Sequence, residues 1–294
     1  MSRTRREALK ALGGVAVAGA AMAGTPLAGR AAPALDALQP LPGAGRLKQS
    51  VCQWCYGKMP LDELCAAARR IGLLSVELLG EKDWPVVRRH GLTCAMANGP
   101  STIPVGFNRP DQHDRLVAES ARLLPLVAAA GLPNMIVFSG NRGGMSDGEG
   151  LANCVAGLQR VTPLAEQLGV TVCMELLNSR VDHQDYMCDH TAWGAELVRQ
   201  VGSPRFKLLY DIYHMQIMEG DVIRNIRDHF DAIGHFHTAG VPGRHEIDDS
   251  QELNYPAIMR AIADLGYTGY IGQEFVPVRD PMASLEQGVR TCDV

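Results

Sequence analysis

The chain predicts a single (β/α)₈ TIM barrel preceded by a cleavable export leader, and three observations carry that expectation. Short apolar runs alternate with longer amphipathic stretches between Ser50 and Phe275, and no composition break divides them. No Gly-rich phosphate turn of the kind that marks an open doubly wound sheet follows any run.

The leader comes first. Ser2-Arg3-Thr4-Arg5-Arg6-Glu7-Ala8-Leu9-Lys10 is basic, and a small-residue apolar run extends from Ala11 to Gly24. At 1.5 Å per helical residue that run spans about 21 Å, short of the ~30 Å hydrocarbon core, so it reads as an address and not as an anchor. Thr4-Arg5-Arg6 with Leu9-Lys10 resembles a twin-arginine export signal. Of two small-x-small cleavage candidates, Ala21-Met22-Ala23 and Ala32-Pro33-Ala34, the later is preferred. It divides the chain into a signal over 1–34 and a barrel over 35–294, the usual size for one such domain. The implied partner is the twin-arginine machinery, and the implied location is the periplasm or beyond.

The runs expected as strands are 48–54, 74–79, 93–97, 135–139, 170–176, 207–212, 233–238 and 269–275. Strands buried on both faces read as continuous apolar runs, as these mostly do. Leu61–Ile71, His113–Ala130, Gly148–Leu168 and Thr191–Val201 carry the helical pattern, and Gly72, Gly131, Gly169 and Gly202 stand where left-handed C-caps belong.

Charge and composition narrow the function. Lys plus Arg number 28 against 32 Asp plus Glu, a net charge of −4, which gives no basic field for nucleic acid or an anionic membrane. Aromatic residues at 5% also argue against stacking platforms for single strands. Eight cysteines are too few for a disulfide scaffold in a chain this long. Cys52, Cys94 and Cys173 lie in apolar runs and are expected as core residues. Cys52-Gln-Trp-Cys55 has redox-motif spacing, but an extended strand would turn the two thiols to opposite faces, so packing is the preferred reading. The oligomeric state is open, a homo-oligomer included.

Barrel active sites lie at the C-terminal ends of the strands. The fifth run ends in Glu175, the sixth in Asp211 with His214 three residues on, the seventh in His237, and the eighth in Glu274. Three carboxylates and one imidazole on consecutive strands suit a divalent ion such as Mn²⁺, Mg²⁺ or Co²⁺, with Zn²⁺ also admissible. His235 shares a strand face with His237, and His237 is preferred as the nearer to the strand's end.

These motifs are recognisable. Cys173-Met-Glu175-Leu-Leu-Asn178-Ser-Arg180, Tyr210-Asp211-Ile-Tyr-His214, Gly234-His235-Phe-His237-Thr and Gly272-Gln-Glu274-Phe resemble the xylose-isomerase-like barrels. Gly243-Arg244-His245-Glu246-Ile-Asp248, with Glu252-Leu-Asn254-Tyr255-Pro256, resembles the hydroxypyruvate isomerase family in particular. The resemblance implies that Glu175 and Glu274 bind the metal and shuttle a proton between adjacent carbons, while His214 contacts substrate. Arg244 and His245 could bind a substrate carboxylate, the alternative being an Arg244–Glu246 loop ion pair. His237 is epimerase-like, whereas the Arg-His-Glu loop is isomerase-like. The expected activity is therefore interconversion of a small hydroxy-carbonyl compound, hydroxypyruvate to tartronate semialdehyde, through an enediolate. A ketose 3-epimerase is the nearest alternative. An AP-endonuclease-like hydrolase or a non-catalytic sugar-binding barrel is disfavoured by the charge balance and by the paired glutamates.

Overall fold

A computed structural model describes residues 45–294, so the leader expected over 1–34, with its Arg5-Arg6 pair, lies outside the described residues. In order the elements are β1 (Lys48–Cys52), α1 (Leu61–Ile71), β2 (Ser75–Glu77), α2 (Trp84–Arg89), α3 (His113–Ala129), β3 (Asn134–Val137), α4 (Asp147–Leu158), α5 (Thr162–Leu168), β4 (Thr171–Glu175), α6 (Thr191–Val201), β5 (Phe206–Asp211), α7 (Ile212–Met218), α8 (Val222–His229), β6 (Ile233–Thr238), α9 (Tyr255–Asp264), β7 (Tyr270–Gln273) and α10 (Pro281–Thr291). All strand pairs are parallel, in the order β2-β1-β7-β6-β5-β4-β3.

Among the described residues seven strands stand where eight were expected, and the difference lies at 93–97. That segment occupies the gap between β2 and β3, bridging Ser75, Leu79 and Met135 through Thr93 and Ala97. Side chains interrupt its ladder at one residue. The Ala95 N–H donates to Ser75 Oγ at 2.8 Å, and the Ala95 carbonyl accepts from Asn134 Nδ2 at 2.9 Å. Backbone bonds resume on either side, from Val76 N to the Thr93 carbonyl and from Ile136 N to that of Ala97. The segment acts as an eighth stave without being a regular strand.

The helices follow their sequence signals closely. α1 ends at Gly72 with φ 100° and α6 at Gly202 with φ 73°, a left-handed region that costs glycine no Cβ clash. The stretch expected as one helix over 148–168 is two, because Pro163 has no N–H to continue the ladder and instead opens α5. Among the described residues no helix is long and apolar enough to cross a membrane.

Side chains two apart share a strand face. Met96, Ile136, Cys173 and Leu209 pack together as an apolar layer inside the ring. One residue pair further along β4 and β5, on the same face, stand Glu175 and Asp211, so this layer is a floor beneath the site. The larger apolar cluster lies between strands and helices, where Leu64, Leu116, Leu158, Leu197 and Ile262 are fully buried.

Candidate metal centre and active site

Glu175 and Asp211 are the last residues of β4 and β5, His237 is the last but one of β6, and Glu274 directly follows β7. One ligand atom from each of the four lies within 4.8 Å of the other three. His237 Nδ1 is 2.7 Å from Glu274 Oε2 and 3.3 Å from Glu175 Oε1. Asp211 divides its two oxygens between structure and site. Oδ1 caps α7 by accepting from the Tyr213 and His214 N–H groups, while Oδ2 faces inward to Arg244 Nη2 at 3.1 Å.

Arg244 reaches into the middle of these acids. Its Nη2 is 2.6 Å from Glu274 Oε2, its Nη1 donates to His214 Nε2 at 2.8 Å, and its guanidinium lies between the Trp54 and Tyr213 rings at 5.1 and 5.3 Å. The backbone at Arg244 has φ 59°, a costly left-handed conformation for a side-chain-bearing residue, and it aims the arginine inward. The loop ion pair considered for Arg244 with Glu246 is not formed. Glu246 instead bonds Ser284 Oγ and the backbone N–H groups of Val278 and Arg279. Trp54 is 45% exposed, and its Nε1 donates to Glu274 Oε1 at 2.7 Å.

Not every expected residue converges. His245 is exposed, and its Nδ1 donates to the Val276 carbonyl at 3.0 Å, outside the cavity beside the acids. Of the residues expected to contact substrate, His245 is thus one that the structure does not bring to the cavity wall. His214 is buried, with Asn178 Nδ2 2.7 Å from its Nδ1; Asn178 is held by accepting from the Val181 and Asp182 N–H groups. Cys52 and Cys55 are both free thiols, as are all eight cysteines. Cys52 precedes a one-turn 3₁₀ helix over Gln53–Tyr56, not the continued strand expected there.

The electrostatics follow from burying three acids together. Burial and the nearby Glu274 charge raise the Glu175 carboxyl. Asp211 is pushed up to about 8, mainly by burial, although Arg244 pulls the other way. Burial would raise Glu274 too, but His237 and Arg244 outweigh it and hold that carboxyl well below the usual range. Burial opposes charge on His237, yet its acidic neighbours and Cys52 lift it well above an ordinary imidazole. His214 is driven the opposite way, by burial and by Arg244. Two of three acids therefore stay hard to ionise even beside a guanidinium, so the cluster is short of positive charge. The three carboxylate oxygens and one imidazole nitrogen fit a hard or borderline divalent cation that would supply it.

Sequence reasoning missed Glu77, at the end of β2 and fully buried. Its Oε1 lies 2.8 Å from both His235 Nε2 and His237 Nε2. Beside the acids is a cavity of about 590 Å³ lined by Trp54, Leu78, Ile136, Phe138, Leu177 and His183, with Glu175, Arg244 and Glu274 on one wall.

The profile of the xylose isomerase-like TIM barrel family matches residues 84–292. A Xenopus laevis protein named "Putative hydroxypyruvate isomerase" is 34% identical over 142 residues, 47% of this chain and 52% of the relative. A 2-oxo-tetronate isomerase of Cupriavidus necator is 41% identical over 117 residues, 40% of this chain and 44% of the relative. These matches span about half the length of the relatives or less. Among solved structures, an AP endonuclease of family 2 from Brucella melitensis superposes with TM-score 0.72 at 24% identity, covering 81% of this chain and 97% of that one. A 3-keto-D-glucoside 4-epimerase from E. coli gives 0.70 at 20%, covering 84% and 100%. Likeness at these identities shows the fold.

Proposed function

Because the chain belongs to the xylose isomerase-like TIM barrel family, we propose that it is a metal-dependent isomerase that moves a proton between adjacent carbons of a small hydroxy-carbonyl compound. The observation that carries this reading is the convergence of Glu175, Asp211, His237 and Glu274 at the strand ends. Glu175, Asp211, His237 and Glu274 would hold the ion. When bound, such an ion supplies electron withdrawal from a carbonyl and its neighbouring hydroxyl, lowering the cost of an enediolate.

The protein's own groups do the rest. Glu175 and Glu274 come from strands on different sides of the ring, so one can take a proton from carbon while the other returns it. Arg244 presents its guanidinium at the cavity wall for substrate oxygens, braced by His214 Nε2, which accepts from its Nη1, and by the Trp54–Tyr213 sandwich. Leu78, Ile136, Phe138 and Leu177 form an apolar wall that keeps water from a carbanionic intermediate.

Hydroxypyruvate is the substrate named by resemblance and by the name of the Xenopus relative. A longer substrate is favoured by the size of the site: a cavity of about 590 Å³ exceeds what a three-carbon acid fills. A four-carbon oxo acid or a ketose undergoing 3-epimerisation would use more of it. The test is an isomerisation assay of the Mn²⁺-loaded protein on hydroxypyruvate, a 2-oxo-tetronate and a ketose panel in deuterated water. Turnover with deuterium entering the substrate carbon is expected, and neither turnover nor exchange on any of them would overturn the reading.

The reading includes export, supported by Thr4-Arg5-Arg6 ahead of the short apolar run. Replacing Arg5 and Arg6 with Lys should retain the chain inside the cell, and undiminished export would refute that part.

A further inference from the structure

We propose that Glu77 is a positioning residue of the metal centre: it accepts the Nε2–H of His237 and so turns that ring's Nδ1 lone pair toward Glu175, Asp211 and Glu274. The inference rests on the metal-centre reading above and extends it to a residue on the far side of the imidazole.

The geometry leaves few alternatives. An ionised carboxylate only accepts hydrogen bonds, and Glu77 Oε1 is 2.8 Å from both His235 Nε2 and His237 Nε2, so both nitrogens carry hydrogen. That assigns the tautomer of His237. Its Nδ1, 2.7 Å from Glu274 Oε2, is then the nitrogen that gives up its hydrogen to take an ion. A buried carboxylate behind a ligating imidazole is a general device for fixing ring orientation and raising donor strength. His235 supplies the second donor that pins Oε1 in place.

Two further observations agree. Ligand atoms of Cys52, Glu77 and His237 also lie within 4.8 Å of one another, which raises the question of a second ion there. The Nε2 of His237 already points its hydrogen at Glu77 Oε1, so that nitrogen has no lone pair to offer a second ion. Space around the pair is reserved by Gly272. A Cβ at Gly272 would sit 2.7 Å from Glu77 Oε1 and 2.7 Å from His237 Cδ2, so any side chain on that residue of β7 would force the two apart.

The test uses the full chain stripped of metal and titrated with Zn²⁺ against a chromophoric chelator. Glu77→Gln keeps the volume, and Glu77→Asp withdraws the carboxylate by one methylene. Each is expected to weaken Zn²⁺ binding about 10–100-fold. Nitrogen-15 NMR of the Zn²⁺-loaded wild type should show His237 protonated at Nε2, with mixed tautomers in Glu77→Gln. This measurement on wild type decides the matter even if a variant fails to fold. Wild-type His237 protonated at Nδ1 would overturn the proposal. So would a folded Glu77→Gln that binds Zn²⁺ within twofold of wild type, even at lowered thermal stability. A wild-type protein that takes up no Zn²⁺ would instead overturn the metal-centre reading, and this inference with it.

Discussion

Loading the site with a divalent ion must expel protons, and the number follows from the buried charges. Asp211 titrates near 8 in the metal-free protein, so at pH 7 it holds its proton about nine-tenths of the time. Burial opposes charge on His237, yet Cys52 and Glu274 lift it above the ordinary imidazole range, and its Nδ1 is the nitrogen that faces Glu274 and Glu175. An ion that takes Asp211 Oδ2 therefore releases about one proton per site at pH 7 from Asp211 alone, and any hydrogen on His237 Nδ1 must leave as well. Glu175, also raised, can only add to that count. The bound state is the deprotonated one, so raising the pH favours binding. For the Asp211 proton alone the apparent affinity grows about tenfold per pH unit, or about 1.4 kcal/mol, and that part of the slope shrinks above pH 8 as Asp211 is already ionised. Calorimetric titration with Mn²⁺ at pH 7, in two buffers of different ionisation heat, reads the count directly. Asp211→Asn should lower it by about one. Identical heats in both buffers would refute this account of the site's charge.

The same linkage has a stability consequence: Asp211 is raised in the folded state, so the stability from its proton is present below its unfolded value and lost as the pH rises through about 8. Metal-free protein should accordingly lose thermal stability between about pH 5 and 8, and a flat profile in that window would contradict it. Glu175→Gln and Glu274→Gln should each reduce turnover about 10²–10⁴-fold while most of the metal stays bound; near-normal rates in both would reject the proton shuttle. Arg244→Met leaves Asp211 and Glu274 without their guanidinium, so the metal-free protein should be destabilised by about 3–5 kcal/mol in denaturant titration. Saturating Mn²⁺ should shrink that loss, and an equal loss with and without the ion would count against the shared-charge picture. Gly272→Ala should cost about 1–3 kcal/mol through its contact with Glu77 and His237, and an unchanged unfolding midpoint would show that the pair can yield.

What the sequence discloses depends on how local the cause is. α1 and α6 keep the expected bounds because an apolar stripe and a closing glycine are both short-range signals. Asp211 and Glu175 were legible because each follows an unbroken apolar run by one step. Glu77 was not, since the run 74–79 continues through Leu78 and Leu79, and only Leu78's left-handed φ of 59° ends the strand two residues early. The break in the stave at 93–97 depends on Ser75 and Asn134, whose side chains seek the Ala95 backbone from neighbouring strands. Arg244 was placed near substrate but not among the acids, because its partners Asp211 and Glu274 are 33 and 30 residues away. His245, its immediate neighbour, turns the other way.

Trp54 makes the centre optically readable. Its indole is tied to Glu274 and lies against the Arg244 guanidinium, while Trp84 and Trp193 donate to the backbone carbonyls of Leu79 and Asp147. Any event that draws Glu274 or Arg244 toward an ion or a bound small molecule changes the charge seen by one half-exposed ring out of three. Its emission is thus an unlabelled gauge of occupancy, set into the wall where occupancy matters.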